Sequence, residues 1–195
     1  MKAKKTRVPG INAHRAVFMD RDGVLIKEVN YLSRLEDMKL IPGAASSIAC
    51  LRKAGFKTIV ISNQSAVARG LLTLSGLGKI TRALRADLLR ENPKARLDGI
   101  YYCPHHPDFG SSCSCRKPGI ALILKAQKKF KIDLQSSYFI GDTSVDMLAA
   151  KTAGCIPVLV KTGKAGKDGR HSAQPKKTCK NLADAARWIL SGLNS

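Results

Sequence analysis

The chain is 195 residues long and 44% hydrophobic, with 34 Lys and Arg against 14 Asp and Glu, a formal net charge of +20. Length and apolar content suit a globular chain with a substantial core, and no apolar run approaches the ~20 residues needed to span a bilayer. No apolar signal segment follows the basic N-terminus, so a cytoplasmic protein with reduced cysteines is expected.

Residues 1–10 carry four basic residues and no acid, and read as a basic tail; residues 11–195 are expected to form one domain. The apolar run Ala16-Val17-Phe18-Met19 predicts a first strand over 16–20, ended by Gly23. Residues 44–54 predict a helix after Pro42-Gly43, stopped by Gly55, and Phe56–Ile61 a second strand. A long amphipathic helix follows over 75–91, interrupted by Gly and closed by Asn92-Pro93. Gly99–Cys103 is a third strand, 104–118 a loop and 119–130 a helix. Tyr138–Ile140 is a fourth strand, 144–153 a helix, Ile156–Val160 a fifth strand, and 181–193 a terminal helix anchored by Trp188. Residues 161–180, with seven basic residues against Asp168 alone, read as mobile loop. Strands alternating with helices imply βαβ units: an α/β, Rossmann-like three-layer sandwich around a parallel sheet.

The two basic stretches supply half of the net charge. Attraction to a polyanion is one reading, and solubilising charge or steering of an anionic substrate is the other. No aromatic residue interleaves with the basic ones, so base stacking has no support and nucleic acid is not the preferred partner. Of the six cysteines, Cys50 and Cys155 lie in apolar contexts and are expected to be small core residues.

Chemistry concentrates where strands end. Asp20 and Asp22 follow the first strand, Ser62 and Asn63 end the second, and Asp142 and Asp146 follow the fourth. Arg116-Lys117-Pro118 precedes a helix. A parallel sheet brings such ends to one edge. Oxygen ligands from Asp20, Asp22 and Asp142, a backbone carbonyl among them, suit Mg²⁺, while Lys117 and Ser62 can neutralise phosphoryl oxygens. No nucleoside-triphosphate loop of the Gly-x-x-x-x-Gly-Lys-Ser/Thr type is present. Phosphoester hydrolysis with a carboxylate nucleophile is therefore the expected reaction.

The ordered set Asp20-x-Asp22-Gly23, Ser62-Asn63, Lys117 and Gly141-Asp142-x-x-x-Asp146 resembles the haloacid dehalogenase-like phosphatases over residues 16–160. The resemblance implies Asp20 as nucleophile, and Asp22 as the general acid that protonates the leaving oxygen and then activates water. Asp146 either orients Lys117 or simply occupies the first turn of a helix. The motifs are closely spaced, which leaves no room for a cap domain, so residues 24–35 and the cysteine loop must cover the site.

Cys103-x-His105-x₇-Cys113-x-Cys115, in the loop 103–115, offers three thiolates and an imidazole for a closed, structural Zn²⁺ site, with His106 the rival to His105. This loop resembles that of the D-glycero-D-manno-heptose 1,7-bisphosphate phosphatases and of their relatives, the histidinol-phosphate phosphatases. The stretch Asn63-Gln64-Ser65-x-x-Ala68-Arg69-Gly70 fits the same group. The resemblance implies substrate contacts from Arg21, from Glu28, Val29, Asn30 and Tyr31, from Asn63, Gln64 and Ser65, and from Arg116 and Thr143. Arg116 could clamp the second anion of a bisphosphate. The expected activity is a monomeric, Mg²⁺-dependent enzyme that removes the C7 phosphate of a small phosphorylated sugar. Hydrolysis of histidinol phosphate or of nucleic-acid ends are the alternatives.

Overall fold

A computed structural model describes residues 13–110, 113–172 and 174–193; the basic tail 1–10 lies outside them. Its six strands are β1 (Ala16–Met19), β2 (Lys57–Asn63), β3 (Gly99–Cys103), β4 (Tyr138–Gly141), β5 (Ile156–Val160) and β6 (Lys177–Cys179). They form one sheet in the order β3-β2-β1-β4-β5-β6, and every pairing is parallel. The helices are α1 (Ala44–Lys53), α2 (Ser65–Ala68), α3 (Leu74–Glu91), α4 (Ala121–Phe130), α5 (Ser144–Ala153) and α6 (Leu182–Ser191).

Period-two alternation sends strand side chains into two separate cores. Val17, Met19, Val60 and Ile140 join α1, α3 and α6 on one face, whereas Ala16, Phe18, Ile59, Ile61 and Phe139 join the face covered by α4 and α5. Both faces of the sheet are thus sealed, and the strands read as continuous apolar runs for that reason. Trp188 anchors α6 as expected, its ring edge-on to Tyr138 at 6.0 Å. The strand order reverses between β1 and β4. At such a switch point the flanking loops diverge and leave a crevice at the carboxyl ends.

Several expectations need correction. Helix α3 runs unbroken through Gly76 and Gly78, because Leu77, Ile80, Leu84 and Leu88 form a buried stripe that outweighs the ~1 kcal/mol cost of each glycine. Strand β2 extends to Asn63, so Ser62 and Asn63 belong to the strand itself. Residues 161–180 are not a free loop. They end in β6, whose Cys179 is buried, and their first half is bonded into the crevice. Cys155 is a core residue, but Cys50 is exposed: it follows Ala49 and precedes Leu51 in α1, and faces outward.

Cys155→Ser should destabilise the protein by ~1–3 kcal/mol, because it buries a hydroxyl among apolar neighbours; Cys50→Ser should fall within ~0.5 kcal/mol of the parent. Paired urea melts measure both.

Candidate active site

Lys117 fixes the geometry of the crevice. Its ammonium is buried, 2.6 Å from Asp146 Oδ1 and 3.0 Å from Asp20 Oδ2, and it donates to the Ile61 carbonyl at 2.8 Å. Burial opposes the Lys117 charge, but Asp146 and Asp20 more than offset it and raise its pKa. The ammonium therefore ties β1, β2 and the start of α5 together. The backbone behind it is pinned by Asn63, whose side chain accepts from Lys117 N at 2.9 Å and donates to Lys117 O at 3.1 Å. Asp146 plays both roles weighed for it. One oxygen meets Lys117, and the other accepts from the backbone and hydroxyl of Thr143 in a capping box that starts α5.

Asp20 sits at the end of β1, where its backbone donates to Ile140 O at 3.0 Å and its Oδ1 accepts from Arg21 N at 2.7 Å. Asp22 is gripped by the fork of the buried Arg21, with Nη2 at 2.9 and 3.0 Å from its two oxygens, and by Gln64 Nε2 at 2.9 Å. Gln64 also donates to Ser62 Oγ at 3.0 Å. Ser62 is buried behind Gln64, whereas the other predicted contacts line the cavity: Asp20, Arg21 and Asp22, residues Glu28 to Tyr31, Asn63 to Ser65, Arg116, Lys117, Asp142 and Thr143.

Asp142 is packed more tightly than its motif implies. A Cβ at Gly23 (φ +73°) would come within 2.6 Å of its Oδ2, and one at Gly163 would overlap the same carboxylate. Lys164 N donates to Asp142 Oδ2 at 2.7 Å, and Gly166 N to its carbonyl at 2.7 Å. Burial, with the charges of Asp20 and Asp146, pushes Asp142 up to about 8. Burial, followed by Asp22, pushes Glu28 up to about 7. Carboxyls pushed up by burial and by neighbouring acids, in a pocket of hard oxygen donors, fit a divalent cation. The donor atoms of Asp20, Asp142 and Asp146 lie within 4.8 Å of one another, but Asp146 is committed to Lys117 and Thr143, which leaves Asp20 and Asp142 as the available pair.

The cysteine loop stands beside this edge. Cys115 Sγ is 3.3 Å from both Cys103 Sγ and Cys113 Sγ, which are 3.6 Å apart, and His105 Nδ1 lies 3.3 Å from Cys115 and 3.8 Å from Cys103. Four ligands at ~2.0–2.3 Å around a tetrahedral ion would be ~3.5–3.8 Å apart. The cluster can hold zinc. His106 is turned away from it: its Nδ1 accepts from Asp108 N at 3.3 Å, its ring packs on Phe109, and it lines the cavity that holds Asp20 and Lys117.

Other functional candidates escaped the sequence reading. Lys164, Asp168 and Arg170 line the cavity, yet belong to the stretch read as mobile loop whose charge is solubilising or steers an anionic substrate. Arg69 was visible only as part of a motif; its guanidinium is stacked between the rings of Tyr31 at 4.7 Å and Phe109 at 4.5 Å.

Comparison with known proteins agrees with this geometry. A family model described as "HAD-hyrolase-like" matches residues 114–185. The D-glycero-D-manno-heptose-1,7-bisphosphate 7-phosphatase of Thermosynechococcus vestitus is 36% identical over 190 residues, covering 91% of this chain and 96% of its own. The chain belongs to the heptose bisphosphate phosphatase family of haloacid dehalogenase-like hydrolases. The Photorhabdus laumondii member, a D-glycero-beta-D-manno-heptose-1,7-bisphosphate 7-phosphatase, is 39% identical over 155 residues, 76% of this chain and 81% of that one. The solved D,D-heptose 1,7-bisphosphate phosphatase of B. bronchiseptica, complexed with magnesium and phosphate, superposes with a TM-score of 0.81 at 30% identity, covering 91% of this chain and 99% of that one. Like other members of this family, the protein is a hydrolase of phosphate esters. Among the described residues no helix is long and apolar enough to cross a membrane.

Asp146→Asn removes the closest partner of a buried ammonium and should destabilise the fold by ~3 kcal/mol at pH 7. Loss of phosphatase activity should accompany it, because Lys117 loses its anchor. Urea denaturation and turnover of a generic aryl phosphate read the two effects separately.

Proposed function

We propose that this protein is a monomeric, cytoplasmic, Mg²⁺-dependent phosphatase, a single domain over residues 11–195, that removes the C7 phosphate of D-glycero-D-manno-heptose 1,7-bisphosphate. The observation that carries the reading is the Asp20 carboxylate poised 3.0 Å from buried Lys117, with Asp142 beside it, in a cavity at the switch point of the sheet. The names of relatives that share most of the chain supply the substrate.

In the first half-reaction a carboxylate oxygen of Asp20 attacks phosphorus. The bond from phosphorus to the sugar C7 oxygen breaks, and that oxygen takes a proton from Asp22, so an aspartyl-phosphate remains on Asp20. In the second, Asp22 takes a proton from water, the oxygen of that water attacks phosphorus, and inorganic phosphate leaves with Asp20 regenerated. The Lys117 charge, held beside Asp20, compensates that of the equatorial oxygens through both steps. Ser62 supports the phosphate side through Gln64. Mg²⁺ would be held by Asp20, Asp142 and the backbone of Asp22, and when bound it supplies further charge neutralisation. Glu28, Val29, Asn30 and Tyr31 cover the sugar from one side, with Arg21, Asn63, Gln64, Ser65, Arg116 and Thr143 around the rest of the cavity.

Cys103, His105, Cys113 and Cys115 would hold Zn²⁺ in a structural role, because four protein ligands leave no position for water. Its role is to fix the segment that runs directly into Arg116 and Lys117. Metal analysis of the purified protein should find about one zinc per chain. His105→Ala should lose it and His106→Ala should keep it.

The deciding experiment is phosphate release with Mg²⁺ from heptose 1,7-bisphosphate and from histidinol phosphate, with Asp20→Asn as the blank. Preference for the heptose by at least ~100-fold in kcat/KM, abolished by chelation and absent in the blank, is expected. Preference for histidinol phosphate overturns the substrate, and release by Asp20→Asn overturns the mechanism.

A further inference from the structure

The cavity has two electrostatic sides. One gathers the carboxylates around Lys117. The other gathers Arg69, Arg116, Arg170 and His106, of which Arg116, Arg170 and His106 also line an adjoining pocket. The charges of Arg170 and Arg69 both repel that of Arg116, and all three arginines act on His106. Among the described residues no ion pair reaches any of the three guanidiniums, and Arg69 Nε is buried without a hydrogen-bond partner. Asp168 attracts Arg170 without pairing with it, so three converging cations stay short of counter-charge until an anion joins them.

The three come from distant parts of the chain, and each is held in place. Arg69 is stacked between Tyr31 and Phe109, and Arg116 Nη1 donates to the His105 carbonyl at 3.1 Å. Arg170 is held through its loop. Asp168, the only acid of residues 161–180, accepts from Ser144 N at 2.7 Å and from Ser144 Oγ at 2.8 Å, at the first turn of α5. His171 N donates to the same hydroxyl at 3.1 Å, so the latch brackets Arg170 on both sides. Asp168 attracts Arg170, but both of its oxygens are bonded to Ser144 at the helix terminus and not to the guanidinium.

We infer that residues 161–171 form part of a second anion site, in which Arg170, held by the Asp168–Ser144 latch, joins Arg116 and Arg69 to clamp the distal phosphate of a sugar bisphosphate. This inference rests on the proposed function. Arg170 becomes a specificity-determining residue and Asp168 a positioning residue that acts through it. The site contributes binding only for substrates that carry a second phosphate, since a monophosphate leaves the arginines unpaired.

The test compares kcat/KM for heptose 1,7-bisphosphate with that for heptose 7-phosphate, the same ester without the distal phosphate, in the wild type and in Arg170→Ala, Arg170→Lys and Asp168→Ala. The ratio of the two values within one preparation cancels any loss of folded enzyme. Arg170→Ala should lower the ratio at least ~tenfold, mainly through KM for the bisphosphate, Asp168→Ala should lower it as well, and Arg170→Lys should keep part of it. A wild type that prefers the bisphosphate, with a ratio in Arg170→Ala unchanged within about twofold, overturns this inference alone. A wild type that fails to turn over the bisphosphate overturns the proposed function and the inference together.

Discussion

A lysine ammonium buried at the end of a parallel sheet sets the terms for everything around it. Water cannot solvate Lys117, so protein groups must, and an unpaired charge there would cost several kcal/mol. Asp20, Asp146 and the Ile61 carbonyl answer that demand from β1, α5 and β2. Satisfying it brings the ends of β1 and β2 and the start of α5 to one point in space. The site is therefore not decoration on a finished fold. The charge that would serve the reaction is the same charge that locks the carboxyl edge of the sheet, and removing it would loosen both.

The same economy governs Asp142. Its carboxylate is confined by Gly23 and Gly163, positions at which no side chain could be accommodated, and is held by the Lys164 backbone. Confinement removes water from a negative group already close to Asp20 and Asp146, which is why its pKa rises to about 8 with burial as the leading cause. Such an arrangement is uncomfortable by itself and is relieved by a cation. On the far wall the arginines show the mirror image, relieved by an anion. A phosphate ester bound with a divalent ion, with a second phosphate toward the arginines, satisfies both sides at once.

How much of this was legible in the sequence follows from how local each signal is. Strands β1 to β5 could be read because burial on both faces makes each a continuous apolar run, and the site carboxylates could be read because they follow those runs within a few residues. Strand β6 could not. It is three residues, Lys177–Cys179, with more lysine on either side, and only pairing with β5 makes it a strand. The stretch around Lys164 to Arg170 looked like solvated charge because its partners, Ser144 and Asp142, lie more than 20 residues away in sequence. Cys50 was misread because apolar neighbours on a helix do not fix which face a residue presents. The choice between His105 and His106 depends on where adjacent side chains point in an irregular loop, and no sequence periodicity reports that.

The cysteine loop keeps its shape without a share in the core. Residues 104–110 contribute almost nothing to either core, and Phe109 is 49% exposed, so apolar packing does not hold this segment. Order comes instead from the sulfur–imidazole cluster, from Gln64 N donating to Cys103 O at 2.7 Å, and from Asn63 clasping the backbone of Lys117. A long irregular loop fixed at a few strong points can carry functional groups where a helix or strand could not turn sharply enough. Arg116 and Lys117 are consecutive residues with different surroundings: one belongs to the arginine cluster, the other is buried among carboxylates.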